Sequence, residues 1–258
     1  MKMKKLLVVG AGYGQVPAIK VAKEMGLRVL TVDRDSNAPG MKMADESFII
    51  DIMDKESVLK LSIQKNIDGI ITLQSDHGVP TVGYVNDYLG LNGITFETAI
   101  NCSHKTKCRT KLKEKNCAQP NFEFISDASK AQEVVKKIGL PCVIKAPDSS
   151  GSRGITKISS FEEIDNGVTE AFKYSNQTEV IVEEFIDGIE FGAQTFSIDG
   201  KCELVLLHND TLSEPPYMIP IGHSFPFKDL SEEDAEFAKE KIKEAVEAIG
   251  ITEGPANI

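Results

Sequence analysis

The chain has no tryptophan, few other aromatic residues and only four histidines. His104, His208 and His223 lack the spacing of metal ligands, so no transition-metal centre is expected. The five cysteines, Cys102, Cys108, Cys117, Cys142 and Cys202, are odd in number and form no CxxC pair, which speaks against a disulfide framework and against a zinc site. None stands beside a recognisable His or Asn partner motif, so none is marked as a nucleophile. Long apolar runs are also missing. Leu6 to Val9 is too short for the core of a signal peptide, and nothing later approaches a membrane span, so a cytoplasmic protein with no membrane partner is expected. A cationic surplus is the last absence. The formal net charge of -10 disfavours nucleic acid as a partner, because phosphate backbones are held by accumulated cations.

The composition that is there, 41% apolar and 26% charged, belongs to a folded globular chain, one large domain or two of ordinary size. Its first third alternates short β-branched runs with helical stripes: Leu6-Leu7-Val8-Val9, then Val16 to Met25, Arg28 to Val32, Phe48-Ile49-Ile50 and Ile70-Ile71-Thr72. This is a βαβ rhythm. It predicts a parallel sheet covered on both faces, with helices ending at Gly26 and Asn66. After Asn101, Lys105, Lys107, Arg109, Lys111, Lys113 and Lys115 alternate through eleven positions, which is not the spacing of one helical face and reads as a solvated surface. A second unit follows, with strands at Phe122 to Phe124, Cys142 to Lys145, Glu179 to Phe185 and Glu190 to Ile198. Asp199-Gly200 turns the last of these into a hairpin. Ser231 caps a final helix whose first turn is acidic and which Gly250 stops.

Two glycine-rich turns invite a nucleotide reading. The first, Gly10-Ala11-Gly12-Tyr13-Gly14-Gln15, follows a strand and precedes Asp33 at the end of the next. Gln15 stands where a dinucleotide fingerprint needs Gly or Ala, and Pro17 follows within the first helical turn, so a tight turn without cofactor is the expectation. The second is richer in chemistry. A strand delivers Lys145, a loop with Ser149, Ser150, Gly151, Ser152 and Gly154 offers backbone N–H and hydroxyl donors, and a strand with Thr156 resumes. Backbone donors and one ammonium suit a polyphosphate, although the lysine precedes the glycines and no Walker A loop is formed. Downstream, Glu183-Glu184-Phe185-Ile186 could face an adenine, with Glu190 within reach of ribose hydroxyls.

This order of parts resembles the ATP-grasp superfamily, the group of carbamoyl-phosphate synthetase, biotin carboxylase and D-alanine-D-alanine ligase. The resemblance covers essentially the whole chain. It implies an α/β fold with a Rossmann-like preATP-grasp domain over residues 1–97, which binds no dinucleotide, and an ATP-grasp domain over 98–258 that is incomplete at its C-terminus and carries a smaller α+β lid at about 122–184. Ser103 to Lys107 with Pro120 resembles the family's opening. By that match Lys105 and Lys145 are the two ATP-phosphate lysines, Ser149 to Gly154 the mobile lid loop, Glu183 to Ile186 the adenine-reading hinge, and Glu190 the ribose acid. His208-Asn209-Asp210 and Pro215 to Pro226 are similar to a segment near the acceptor in L-amino-acid ligases and carnosine-synthase-like enzymes, or else form a Pro-rich connector over the sheet.

The chemistry implied is ATP-dependent joining of a small carboxylate, such as an amino acid, to an amine through an acyl phosphate, with Mg2+ and commonly in a homodimer formed through the first domain. Gly254 to Ile258 matches the lead into the strand before the first magnesium carboxylate, so the resemblance puts both metal acids past Ile258. The chain is therefore expected to be a piece of a longer ligase. A non-catalytic ATP-binding regulatory module and a dinucleotide oxidoreductase remain open alternatives at this point.

Overall fold

The structure, a computed structural model, describes residues 3–147, 154–175, 178–213 and 220–258. The chain divides into two compact units, one of residues 1–103 with 250–254 and one of 104–249 with 255–258.

The first unit is built on a parallel sheet of β1 (Lys5–Val9), β2 (Arg28–Asp33), β3 (Glu46–Ile49) and β4 (Gly69–Ile71), in the order β3-β2-β1-β4. Helices α1 (Val16–Glu24), α2 (Lys55–Lys65), α3 (Val79–Leu89) and α4 (Phe96–Ser103) complete it. The near-continuous apolar strands follow from burial on both faces. Leu7 and Val9 of β1 pack with Leu30, Val32, Val58 and Val85, while Val8 between them packs with Ile19, Ala22 and Val29. Asp54 caps α2 by accepting the Ser57 N–H at 3.1 Å, and Asn66, at φ +51°, ends it in the left-handed conformation. The strand-helix rhythm of the sequence marked this sheet. It did not mark α3 and α4, whose apolar residues follow one another without a strand between them.

In the second unit, α5 (Lys105–Glu114) leads to an antiparallel sheet of β5 (Phe122–Ile125), β6 (Cys142–Lys145), β7 (Ile155–Ile158) and β8 (Val180–Glu184), ordered β5-β8-β6-β7. One face is closed by α6 (Ala131–Ile138) and α7 (Ile164–Tyr174), through Val135, Ile164, Val168 and Ala171 against Cys142, Ile144, Ile158, Val180 and Val182. A second sheet contains β9 (Gly192–Ile198), β10 (Lys201–Leu212), β11 (Pro220–Ser224) and β12 (Gly254–Asn257), ordered β11-β10-β9-β12, with α8 (Glu232–Ile249) against β10. Asp199 (φ +50°) and Gly200 (φ +81°) make the tight β9-β10 turn that their sequence predicts. Ser231 accepts the Asp234 N–H at 3.1 Å, again as expected of a cap. Phe196, Ile198, Leu204 and Leu206 of this sheet are exposed.

One reading needs correction. The stretch from His208 that looked like a Pro-rich connector continues β10 to Leu212 and returns as β11, with Asp210 opposite His223. Pro215 to Met218 lie outside the described residues.

Candidate functional site

Strand alternation builds the site. In β6, Cys142 and Ile144 point into the helix-covered core, so Val143 and Lys145 take the other face. In β8, Val180 and Val182 are core, which sends Ile181 and Glu183 to that same other face. The antiparallel register pairs Val143 with Glu183 and Lys145 with Ile181, so Lys145 stands diagonal to Glu183, within reach of a long side chain.

The two meet. Lys145 Nζ donates to Glu183 Oε1, and Arg109 of α5 donates from Nη2 to the other oxygen, Oε2, at 2.9 Å. Glu183 is 7% exposed. One buried carboxylate thus carries two cations. Burial is the largest influence on Lys145 and lowers its pKa; Glu183 opposes that shift, while Arg109 and Lys105 reinforce it. Desolvation therefore outweighs the ion pair, and the ammonium is held in a site where an added negative charge would be welcome. Cys108 lies within the field of the same three cations, yet burial raises its thiol pKa, the opposite of what a nucleophile needs.

Arg109 is the residue that sequence reasoning passed over. The alternating run of cations was read as solvated surface, but within it Lys105, Arg109 and Leu112 fall at i, i+4 and i+7, one face of α5, with Leu112 buried. That spacing was the available signal.

The remaining candidates divide. Glu184 turns away from the cluster, its carboxylate accepting the Asn121 side-chain amide at 3.0 Å and its backbone N–H at 3.3 Å. Phe185 donates its N–H to Pro141 O at 3.3 Å, and Lys157 of β7 sets its ammonium 3.6 Å from the Phe185 ring centroid. Lys157 is therefore tied to Phe185. Ile186 and Glu190 are exposed. Gly154 is buried at φ +65°, and a Cβ there would lie 2.8 Å from Tyr174 Cβ, so glycine is required at that position by backbone and space together. Ser149, Ser150, Gly151 and Ser152 lie outside the described residues.

The first glycine-rich turn is filled from within. Asp33 Oδ2 accepts the Ala11 N–H at 2.8 Å, and the Gln15 side chain folds under Gly10 and donates to Leu73 O. The acid that a dinucleotide ribose would need is holding the turn itself.

Comparison with known proteins now adds to this geometry. The D-ala D-ala ligase C-terminus profile matches residues 112–217, and the PylC-like N-terminal domain profile matches residues 6–80. Formate-dependent phosphoribosylglycinamide formyltransferase of Methanocaldococcus jannaschii is 27% identical over 270 residues, 95% of this chain and 63% of that protein. Its counterpart in Methanocella arvoryzae is 25% identical, over 85% of this chain and 50% of its own. Phosphoribosylglycinamide synthetase from Anaerococcus prevotii superposes with a TM-score of 0.83 and 29% identity, over 99% of this chain and 64% of that one. The L-amino acid ligase from Bacillus licheniformis gives 0.81 over 100% of this chain and 63% of its own, but at 24% identity that likeness is one of fold.

The fold is the mixed α/β architecture of these relatives. The two profile matches, one on each part of the chain, and the likeness to the Anaerococcus prevotii synthetase agree with the ATP-grasp resemblance of the motif order. The chain spans from half to just under two thirds of the length of these relatives. The curated relatives are named for formate and phosphoribosylglycinamide, and one of the structural relatives for L-amino acids.

Proposed function

We propose that the protein is an ATP-dependent carboxylate-amine ligase that activates a small carboxylate, with formate as the leading example, and transfers it to an amine. The observation that carries this reading is the sharing of Glu183 by Lys145 and Arg109 on the face of the β5-β8-β6-β7 sheet away from α6 and α7. Two fixed cations on one carboxylate leave a net positive site, and their ammonium and guanidinium donors fit the oxygens of a polyphosphate.

In this reading Lys105, Arg109 and Lys145 hold the nucleotide phosphates and neutralise charge as it builds on them. Ser149, Ser150, Gly151, Ser152 and Gly154 supply backbone and hydroxyl donors over the same phosphates. Phe185 and Ile186 give the adenine apolar contact, backbone groups of the Glu183 to Ile186 hinge read its edge, and Glu190 accepts from the ribose hydroxyls. Residues 122–184 act as the lid, and the preceding domain supplies the contact for a homodimer. ATP supplies the phosphoryl group: a carboxylate oxygen bonds to the γ-phosphorus as its bond to ADP breaks, and the amine then bonds to the acyl carbon as phosphate leaves and a proton is lost from nitrogen. Mg2+ supplies further charge neutralisation when bound.

Phosphate release by the whole protein tests the assignment. It is measured with ATP, Mg2+ and pairs of one carboxylate and one amine, beginning with formate and phosphoribosylglycinamide and extending to amino acids. Release that requires both partners is the expected result. ATP binding without release for any pair would favour a non-catalytic ATP-binding module.

A further inference from the structure

His208, Asp210 and His223 come together on one face of the β10-β11 ribbon. His208 and Asp210 are two residues apart on one strand and so share a face, and the antiparallel register sets His223 directly opposite Asp210. Linear spacing gave no hint of this, because the third member arrives through strand pairing. His223 Nδ1 lies 2.6 Å from Asp210 Oδ1, His208 Nδ1 lies 2.9 Å from the same oxygen, and the two rings meet edge to face at 4.6 Å.

His208 is the anomaly. It is 1% exposed, and among the described residues neither ring nitrogen has a hydrogen-bond partner; the approach of Nδ1 to Asp210 is close in distance but not aligned as a donor. An imidazole buried with both nitrogens idle is costly and rare, and an absent ion is one of the few accounts of it. The fold makes room for this ring. His208 pairs with Gly192 of β9, where a Cβ would lie 2.2 Å from His208 Cε1, so any other residue would collide with the imidazole.

We propose that His208, Asp210 and His223 form a binding site for a divalent transition metal of the Zn2+ class. Two imidazoles and one carboxylate are the ligand set of such ions, whereas Mg2+ prefers oxygen alone. One candidate ligand atom from each residue lies within 4.8 Å of the others. Bonds of about 2.0–2.2 Å set ligand atoms wider apart than the contacts to Asp210 and closer than that limit, so the side chains must shift somewhat, which the half-exposed His223 is free to do. The exposed side of His223 leaves a fourth position for water. The site is separate from the Lys145-Glu183 cluster and uses none of its residues.

Calorimetric titration of Zn2+ into the whole, chelator-treated protein tests this, alongside a Co2+ absorption spectrum that reports ligand geometry. The expected result is one saturable Zn2+ per chain, not competed by millimolar Mg2+, with a visible Co2+ ligand-field band. His223→Gln and Asp210→Asn, checked by circular dichroism for folding, should each weaken Zn2+ binding at least about tenfold. His77→Gln, an exposed histidine in the other unit, should leave it unchanged. Absence of saturable binding, or equal binding by the parent, His223→Gln and Asp210→Asn proteins, would overturn the proposal.

Discussion

Glu183 is a junction between α5 and β6, and the cost of disturbing it depends on what is left behind. Removing Lys145 or Arg109 alone leaves one cation on the carboxylate, so each alanine substitution is expected to cost about 1–3 kcal/mol in chemical denaturation. Removing both strands a buried charge, and the double variant should lose more than the sum of the two. Lys145 also predicts a pH effect. Its pKa is lowered in the folded state, mainly by burial, so as pH rises through the folded value the native chain releases its proton before the unfolded chain does. The unfolded state then binds more protons, and the Lys145 contribution to stability rises with pH up to the ordinary lysine range. Lys145→Met should flatten that alkaline slope. An unchanged slope would mean that another group produces it.

Elements differ in how plainly the sequence announced them. The β6-loop-β7 order, the Asp199-Gly200 hairpin and the Ser231-capped α8 were legible because each rests on local chemistry: a lysine before glycines, two left-handed positions, a hydroxyl before an acidic turn. The inward face of α5 was obscured by surrounding lysines, and the β10-β11 ribbon by its prolines. Both depend on partners distant in the chain. The first glycine-rich turn shows the converse, a familiar pattern emptied of its usual meaning. Because Asp33 holds the Ala11 N–H, Asp33→Ala should destabilise the first unit by roughly 1 kcal/mol. NADH should leave the melting temperature of the parent unchanged, and a saturable NADH shift would restore the dinucleotide reading.

At the scale of the molecule, the net charge of -10 makes the cluster of Lys105, Arg109 and Lys145 conspicuous, and the account stands on that cluster binding a nucleotide. The architecture was legible from the order of motifs, whereas the substrate was not, since acid and amine are chosen by residues that neither pattern nor spacing isolates. The control for charge must also be chosen from the structure. Lys157 rests on the Phe185 ring, so its loss should weaken ATP binding as well; exposed Lys136 on α6 is the neutral comparison. The most direct measurement is calorimetric titration of ATP into the parent protein, Lys145→Ala and Lys136→Ala, with circular dichroism confirming that all three are folded. Loss of a charge-assisted hydrogen bond predicts binding about ten- to a hundredfold weaker in Lys145→Ala and unchanged in Lys136→Ala. A folded Lys145→Ala protein that binds ATP as tightly as the parent would contradict the account.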